Sequence, residues 1–281
     1  MPEDPNITGG FGAHRPSKRF GQNFLRDPNV SKRIVAALAP RPDETIIEIG
    51  AGQGALTTHL IEKAARVIAI EFDNNLAPAL EQNFGQHQNF KLLHEDALET
   101  DFCAAIQPAQ KARLVANLPY NISTAILQRL ITQRACIEEM VLMLQKEVVE
   151  RIQAPAGSSE RGYLSVLVEA YCETEKLFDV GPSAFRPQPK VWSTVARLKF
   201  RLQETVQVND EELFWAIVSA GFRQKRKTML NNLRNATGRL QDVIKQNGGA
   251  SIVLCKAEVD LKRRAESLSL AEWNRIARAM G

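Results

Sequence analysis

Residues 45–59 read TIIEIGAGQGALTTH. A β-branched apolar run leads into glycines at 50, 52 and 54, and a helix-like segment follows. Glycines let the backbone turn tightly and approach a ligand without an intervening Cβ. The stretch therefore predicts a strand, a nucleotide-binding turn and a helix. No Lys-Ser or Lys-Thr pair follows, which excludes a Walker phosphate loop, but the pattern G-x-G-x-x-A ending at Ala55 leaves NAD open.

Apolar strands and amphipathic helices alternate outward from this stretch. Asp27-Pro28 places a capping residue before a proline at the first helical position, so a helix is predicted over 28–39. The same reading predicts helices near 74–84, 123–133 and 146–153, and strands at 67–70, 90–93, 113–116, 140–144 and 194–200. This alternation predicts an α/β fold with a mostly parallel sheet covered on both faces.

Length and charge divide the chain into parts. At 281 residues the chain is near the size at which one core usually stops growing, which suggests two domains. Residues 206–281 hold 13 Lys and Arg against 8 Asp and Glu, a net charge of +5. Because the whole chain has a net charge of +4, residues 1–205 have a net charge of about −1. We therefore predict a flexible N-terminal tail (1–17), a catalytic domain (18–204) and a helical basic domain (205–281). The basic domain either binds a polyanion or is a solvated helical surface.

Composition favours an ordinary soluble protein, with 44% hydrophobic and 24% charged residues. No apolar run approaches the roughly 18 residues of a membrane span, and residues 1–15 lack the apolar core of a signal peptide. Neither the histidines nor the cysteines show metal-ligand spacing. We expect no metal site, no disulfide framework and buried thiols in a reducing cytoplasm for four cysteines: Cys103, Cys136, Cys172 and Cys255.

Acidic residues end two successive strands beside the glycine turn. Glu71 ends the second strand, 21 residues after Gly50, where a carboxylate can accept hydrogen bonds from both ribose hydroxyls. Asp96 ends the third strand region, where a carboxylate can bind the amino group of an adenine. Either acid alone is more often solvated loop charge, but the pair favours an adenosine-type cofactor.

The tetrapeptide Asn117-Leu118-Pro119-Tyr120 follows another strand. It combines a carboxamide, a carbonyl held in extended geometry by the next proline, and an aromatic face. Those groups can hold a flat ring that bears an exocyclic amine. Ligands bind at the carboxyl ends of strands in open α/β sheets, so we expect the tetrapeptide to lie beside the cofactor.

These motifs resemble those of the ribosomal RNA adenine dimethyltransferase family, in family order from about residue 18 to 235. The shared strings are FGQNFL (20–25), EIGAGQGALT (48–57), IEFD (70–73), EDA (95–97), NLPYNIS (117–123), LQKEV (144–148), FRPQPKV (185–191) and FRQKRKT (222–228). Two small departures are Ala51, where many relatives have proline, and the order Arg161-Gly162-Tyr163. The last 45 residues match more loosely.

The resemblance implies a Rossmann-like class I S-adenosylmethionine-dependent methyltransferase domain followed by a small all-helical C-terminal domain. The cofactor implied is S-adenosyl-L-methionine, lined by these residues: Asn23, Leu25, Gly50, Gly52, Glu71, Asp96 and Asn117. Asn117 and Leu118 would accept the hydrogens of adenine N6, Pro119 would fix the carbonyl, and Tyr120 and Phe185 would stack on the two faces of the base. Core packing is the alternative for both aromatic rings.

The resemblance also implies an RNA substrate. Among bacterial members the similarity favours the branch that dimethylates N6 of two adjacent adenosines near the 3′ end of 16S rRNA in the immature small subunit. The expected enzyme is a cytoplasmic monomer that uses no metal. We expect phosphate contacts from five basic residues: Arg223, Lys225, Arg226, Lys227 and Arg234.

Three alternatives remain open from the sequence. An NAD-linked dehydrogenase would explain the glycine loop and Glu71, but it leaves the tetrapeptide and the basic tail without a role. A member of the branch that methylates 23S rRNA and confers antibiotic resistance would share most motifs. A ribosome-assembly factor whose methyl transfer is incidental would need the RNA contacts more than the chemistry.

Overall fold

The computed structural model describes residues 22–202, 205–206 and 208–281. The elements along these residues are β1 (Phe24–Leu25), α1 (Pro28–Leu38), β2 (Thr45–Ile49), α2 (Thr57–Ile61), β3 (Arg66–Ile70), α3 (Ala77–Phe84), β4 (Phe90–Leu93), α4 (Phe102–Ala105), β5 (Ala112–Asn117), α5 (Ser123–Thr132), β6 (Ile137–Gln145), α6 (Lys146–Ile152), α7 (Tyr163–Tyr171), β7 (Cys172–Val180), β8 (Phe185–Arg186), β9 (Ser193–Phe200), α8 (Glu211–Phe222), α9 (Met229–Arg234), α10 (Arg239–Gln246), α11 (Ala250–Lys256) and α12 (Leu270–Arg278).

One seven-stranded sheet carries most of these strands, in the order β4-β3-β2-β5-β6-β9-β7. The five strands from β4 to β6 pair in parallel, and β9 pairs antiparallel with β6. The strands β2 and β5 are central and mostly apolar, as expected for parallel strands that are covered on both faces. This mixed sheet with flanking helices confirms the predicted Rossmann-like fold.

Parallel pairing brings several strand ends to one edge of the sheet. The strands β2, β3 and β5 end there at Ile49, Ile70 and Asn117. The antiparallel β9 begins at the same edge, because Ser193 pairs with Gln145 at the end of β6. We call this side of the sheet the carboxyl edge.

The chain divides into two compact units: one contains the described residues up to Val149 together with Thr174–Phe200, and the other contains Glu150–Glu173 and Arg201–Gly281. In the second unit Trp273 is fully buried within a helical core that includes Phe214 and Ile217. Residues 150–173, which the sequence placed in the catalytic domain, group with the second unit. The boundary at 204/205 stays a prediction, and the predicted tail (1–17) lies outside the described residues.

Two features differ from the sequence-based expectations. The helix α7 and the strand β7 were not predicted from the sequence. The mostly apolar residues of α7 run directly into β7, and charged residues at several positions of β7 obscure its strand pattern. Cys103 and Cys136 form a disulfide, so the expectation of free thiols was wrong for this pair. Cys172 and Cys255 are free, and only Cys172 is buried. The disulfide joins α4 to the turn before β6, and a separation of 33 residues gave no sign of it.

Candidate active site

A cavity of about 290 Å³ opens at the carboxyl edge, beyond the ends of β2, β3 and β5. Nine of the eleven residues predicted for cofactor and base line it, among them Asn23, Gly50, Gly52, Glu71, Asp96, Asn117 and Tyr120. Leu118 and Pro119 also line it. The cavity therefore brings the glycine turn, both acids and the tetrapeptide together, although they are distant in the sequence.

Glu71 holds the glycine turn in place. Its Oε2 accepts a hydrogen bond from the Gly52 amide at 2.8 Å, and its Oε1 accepts one from the Asp73 amide at 2.9 Å. The side chain is 7% exposed, and its burial raises the pKa above the ordinary value of 4.5. A carboxylate has about four acceptor positions, so both oxygens can still accept hydroxyl hydrogens.

Gly52 meets two geometric demands of the turn. Its φ is +58°, which a side chain disfavours. A Cβ at this position would lie 3.3 Å from Cδ1 of Phe24, which also lines the cavity. A side chain here would strain the turn and crowd the cavity mouth.

Glu48 lies beneath the glycine turn and is 1% exposed. Its Oε2 accepts a hydrogen bond from Thr57 Oγ1 at 2.6 Å, which ties the end of β2 to the start of α2. Burial, with a smaller contribution from the negative charge of Glu71, raises the pKa of Glu48 to about 7. Glu48 is therefore a buried group that changes charge near neutral pH.

Asn117 presents a defined acceptor to the cavity. Its Nδ2 donates to the backbone oxygen of Asn23 at 3.2 Å, so the amide oxygen is left as the acceptor. Leu118 is held by its own amide, which donates to Met143 O at 3.2 Å. Among the described residues, no donor reaches the Leu118 carbonyl or Asn117 Oδ1. The cavity wall thus offers two unoccupied acceptors in consecutive residues.

Tyr120 is held by a residue that the sequence did not single out. Its hydroxyl forms a 2.8 Å hydrogen bond with Ser193 Oγ, and Ser193 is fully buried at the start of β9. Burial raises the pKa of the Tyr120 hydroxyl above 10, so the hydroxyl stays protonated at neutral pH. The bond fixes one end of the aromatic ring, whose body lines the cavity.

Comparisons with known proteins identify the family that this chain resembles. Residues 13–275 match the family model described as "Ribosomal RNA adenine dimethylase". The chain is 42% identical to a "Ribosomal RNA small subunit methyltransferase A" of Pseudomonas aeruginosa over 94% of either chain. It is 43% identical to the protein of that name from Methylococcus capsulatus, over 95% of this chain and 98% of the relative.

The chain belongs to the ribosomal RNA adenine dimethylase family. Among solved structures, the 23S rRNA methyltransferase ErmE is 25% identical with a TM-score of 0.65, and the alignment covers 92% of this chain and 99% of that one. A dimethyladenosine transferase from Plasmodium falciparum has a TM-score of 0.75 at 24% identity, covering 90% and 95%. Both likenesses support the dimethylase fold.

The cavity of this dimethylase fits an adenosine-type cofactor. Glu71 retains acceptor capacity for ribose hydroxyls, and Asp96 Oδ1 accepts from the Leu98 amide at 2.9 Å while Oδ2 has no donor among the described residues. Phe72 follows Glu71 and lines the cavity with 52% of its surface exposed. An exposed aromatic face in the same cavity as these acids is suited to an adenine ring, so Phe72 is a candidate that the sequence analysis missed.

Gln22 and Asp73 form a second missed contact in the wall of the dimethylase cavity. Gln22 Nε2 donates to Asp73 Oδ2 at 2.7 Å across 51 residues, and Asp73 is 3% exposed. The bond joins the segment before β1 to the loop after β3. A polar residue at 22 and an acid at 73 are the only sequence signals, and neither indicates the pairing.

Two of the predicted site residues lie outside the cavity wall. Leu25 and Phe185 are register partners in the β1–β8 pair, and both belong to the apolar core, with 5% and 1% exposure. Both side chains are apolar and pack in the same hydrophobic core. In the structure, Leu25 and Phe185 therefore support the segment that carries Asn23 and Phe24, and Phe185 does not face the cavity.

The five predicted RNA contacts of the dimethylase are exposed. Arg223, Lys225, Arg226 and Lys227 occupy the turn after α8, and Arg234 ends α9. Lys225 Nζ donates to Ser159 O at 3.3 Å, and the other four form no ion pair with any described residue. Unpaired cations of this kind suit a polyanion.

The described residues contain no group of three or more His, Cys, Asp and Glu placed to hold a metal ion. Within the same residues, no helix is long and apolar enough to cross a membrane.

Proposed function

We propose that this chain dimethylates N6 of two adjacent adenosines near the 3′ end of 16S rRNA, with S-adenosylmethionine as the methyl donor, during maturation of the small ribosomal subunit. The observation that carries the proposal is the pair of free acceptors at Asn117 Oδ1 and Leu118 O beside a cavity suited to adenosine. Family membership supports the methyltransferase class and the RNA substrate.

The acceptor pair suits a primary aromatic amine. An adenine N6 has two hydrogens, and its lone pair is delocalised into the ring. Accepting one hydrogen at Asn117 and the other at Leu118 would favour a pyramidal nitrogen with an available lone pair. Bound S-adenosylmethionine supplies a methyl group on a positively charged sulfur. Positioning of this kind can contribute about 7–11 kcal/mol in favourable cases.

Several residues would hold the two ligands. Glu71, Asp96 and Phe72 would bind the ribose and the adenine of the cofactor, and Tyr120 would stack on the target base. The target must be unpaired or extruded, because N6 is not accessible inside a duplex. The first methylation product must stay in or return to the same cavity for the second transfer.

The test is a methylation assay with radiolabelled donor on small and large subunits from a strain that lacks the modification. We expect dimethyladenosine in the small-subunit RNA and none in the large-subunit RNA, mapped by primer extension and nucleoside mass spectrometry. Label in the large-subunit RNA would support the other branch. An inactive Asn117→Ala variant that still restores subunit maturation would support the assembly-factor alternative.

The basic turn would supply affinity without sequence selectivity. Each phosphate contact makes the decrease of log K with log salt steeper, by about 0.7–0.9 in the slope. We expect the double substitution Arg226→Gln and Lys227→Gln to weaken subunit binding at low salt and to reduce that slope by about 1.5. Lys245→Gln with Lys256→Gln, two exposed lysines on α10 and α11, is the matched control. An equal change in both pairs would assign the effect to net charge.

A further inference from the structure

Trp192 is the most unusual exposed residue at the carboxyl edge. Its side chain is 54% exposed, and the preceding Val191 is 40% exposed. Of the three tryptophans, Trp273 is fully buried and Trp215 packs against Tyr163 and other rings. Exposing a large aromatic surface has a hydrophobic cost, and Val191 and Trp192 are adjacent, as in the exposed apolar patches rimmed by polar residues that mark interaction sites.

The backbone of Trp192 is fixed beside the base-binding wall. Its carbonyl accepts a hydrogen bond from the Lys146 amide at 2.9 Å, and the next residue, Ser193, is the buried partner of the Tyr120 hydroxyl. A Cβ built on Gly181 would lie 3.6 Å from Trp192 Cη2, so one edge of the indole lies against that glycine. The ring is therefore exposed and also positioned.

The segment 186–192 is anchored at both ends to the cavity. At its start, Arg186 is the register partner of Phe24, which lines the cavity. At its end, Trp192 precedes Ser193 at the carboxyl edge. The segment is therefore held at both ends beside residues of the cavity wall.

The charges of this segment are positive and unpaired. Arg186 and Lys190 are exposed, and neither forms an ion pair with a described residue. The nearby acid Asp179 is already engaged, because it accepts from Thr194 Oγ1 at 2.6 Å and from Lys176 Nζ at 2.9 Å. An exposed aromatic ring that shares a short segment with two free cations has the chemistry of a single-strand nucleic-acid contact, in which a base stacks and phosphates bind the cations.

We propose that Trp192 stacks on an unpaired nucleotide adjacent to the methylated adenosine, with Arg186 and Lys190 binding the flanking phosphates. The proposal rests on the proposed function for the identity of the RNA. It makes Trp192 a positioning residue: a stacked neighbour would hold the strand so that the target base enters the cavity beside Tyr120. The occupant is a nucleotide because the free charges are cationic and the surface is continuous with the base-binding wall.

The kinetic test compares Trp192→Ala, Trp192→Phe and Leu202→Ala in the full chain with small subunits as substrate. Leu202 is 95% exposed and serves as a control for loss of exposed apolar surface. Stacking of one base predicts about a tenfold rise in KM for the subunits in Trp192→Ala, with recovery in Trp192→Phe. kcat and cofactor affinity are expected to change little. An unchanged KM, or a parallel loss of cofactor affinity, would overturn the proposal.

A binding test does not depend on activity. Single-stranded oligoadenylate is expected to quench the tryptophan fluorescence of the wild type and of Leu202→Ala, and to quench Trp192→Phe much less. Arg186→Gln and Lys190→Gln should each reduce the salt slope of oligoadenylate binding by about 0.7. Equal quenching in Trp192→Phe would refute the contact. If the wild type shows Trp192-dependent quenching but methylates no subunit RNA, the proposed function fails while the stacking contact stands.

Discussion

The two walls of the cavity differ in whether their hydrogen-bond acceptors already have partners. On the wall formed by the glycine turn and Glu71, each carboxylate oxygen already accepts a backbone hydrogen bond at 2.8–2.9 Å. On the wall formed by Asn117 and Leu118, the donors are engaged and the acceptors are free of partners among the described residues. A ligand on the first wall shares an existing network, whereas a ligand on the second wall completes one.

This difference separates affinity from catalysis. Charged acceptors that are held rigidly in a buried site favour tight binding of a neutral hydroxyl pair. Free neutral acceptors hydrogen-bond to an amine only when it is correctly oriented. Their contribution is therefore mainly to the rate of the methyl transfer. Substitutions on the first wall should therefore change mainly cofactor binding, and substitutions on the second wall should change mainly kcat.

The largest effect is expected for Asn117→Ala. Under the proposed function, the substitution removes an acceptor for the reacting amine, and loss of one such oriented group typically lowers kcat by about 10²–10³-fold. Single-turnover methylation of small subunits measures the rate, and calorimetric titration measures cofactor affinity, which should fall much less. The control is Asn83→Ala, a half-buried asparagine on α3. A kcat within a few-fold of wild type would remove Asn117 from the base-binding role.

A smaller effect is expected for Glu71→Gln. The substitution turns one acceptor oxygen into a donor, so either the Gly52 or the Asp73 amide loses its partner. Hydrogen bonds to a charged group contribute about 1.5–3 kcal/mol, which predicts a 10- to 100-fold rise in the cofactor Kd. The exposed Glu81→Gln on α3 should behave as wild type. Equal cofactor affinity in Glu71→Gln, with a lower thermal stability, would limit Glu71 to holding the turn.

Sequence reasoning located the parts of the site that depend on strand ends. The glycine turn, Glu71, Asp96 and Asn117 each lie at or just after the end of a strand, and parallel pairing brings such positions to one edge. It did not separate side chains that face the cavity from those that face the core. Leu25 was assigned to the cavity, but its side chain is buried in the apolar core.

The contacts that were missed join positions far apart in the chain. Tyr120 and Ser193 are 73 residues apart, and Gln22 and Asp73 are 51 apart. No local pattern indicates such pairs, because each residue type is common on surfaces. The Cys103–Cys136 disulfide was missed for the same reason, because the spacing of the two cysteines matches no recognisable pattern.

The buried Glu48 predicts an unusual pH dependence of stability. Its pKa is raised from 4.5 to about 7, so the folded state holds this proton more tightly than the unfolded state. The free energy of unfolding should therefore decrease as pH rises between these values, and the loss is complete above about pH 7. A shift of one pKa unit corresponds to 1.36 kcal/mol, so the loss is at most about 3 kcal/mol.

Glu48→Gln isolates this contribution because the amide can still accept the Thr57 hydroxyl hydrogen but does not titrate. Urea unfolding at pH 5 and pH 8 should show the variant gaining stability relative to wild type at the higher pH, by about 1–3 kcal/mol. Glu62→Gln, an exposed residue after α2, is the matched control. A difference that does not change with pH would show that Glu48 is charged throughout this range, and the first wall would then carry two buried negative charges.

The smallest effect is expected for removal of the Tyr120–Ser193 hydrogen bond. Tyr120→Phe and Ser193→Ala both keep the ring and remove the 2.8 Å bond that fixes it. A hydrogen bond of this kind contributes about 0.5–1.5 kcal/mol, so each variant should lose about 2- to 10-fold in kcat/KM for subunits. Because the two groups act as one pair, the double variant should lose little more than either single variant. Additive losses would mean that Ser193 and Tyr120 act separately. Binding of the target base at the second wall would then depend less on the position of the Tyr120 ring than on the acceptors of Asn117 and Leu118.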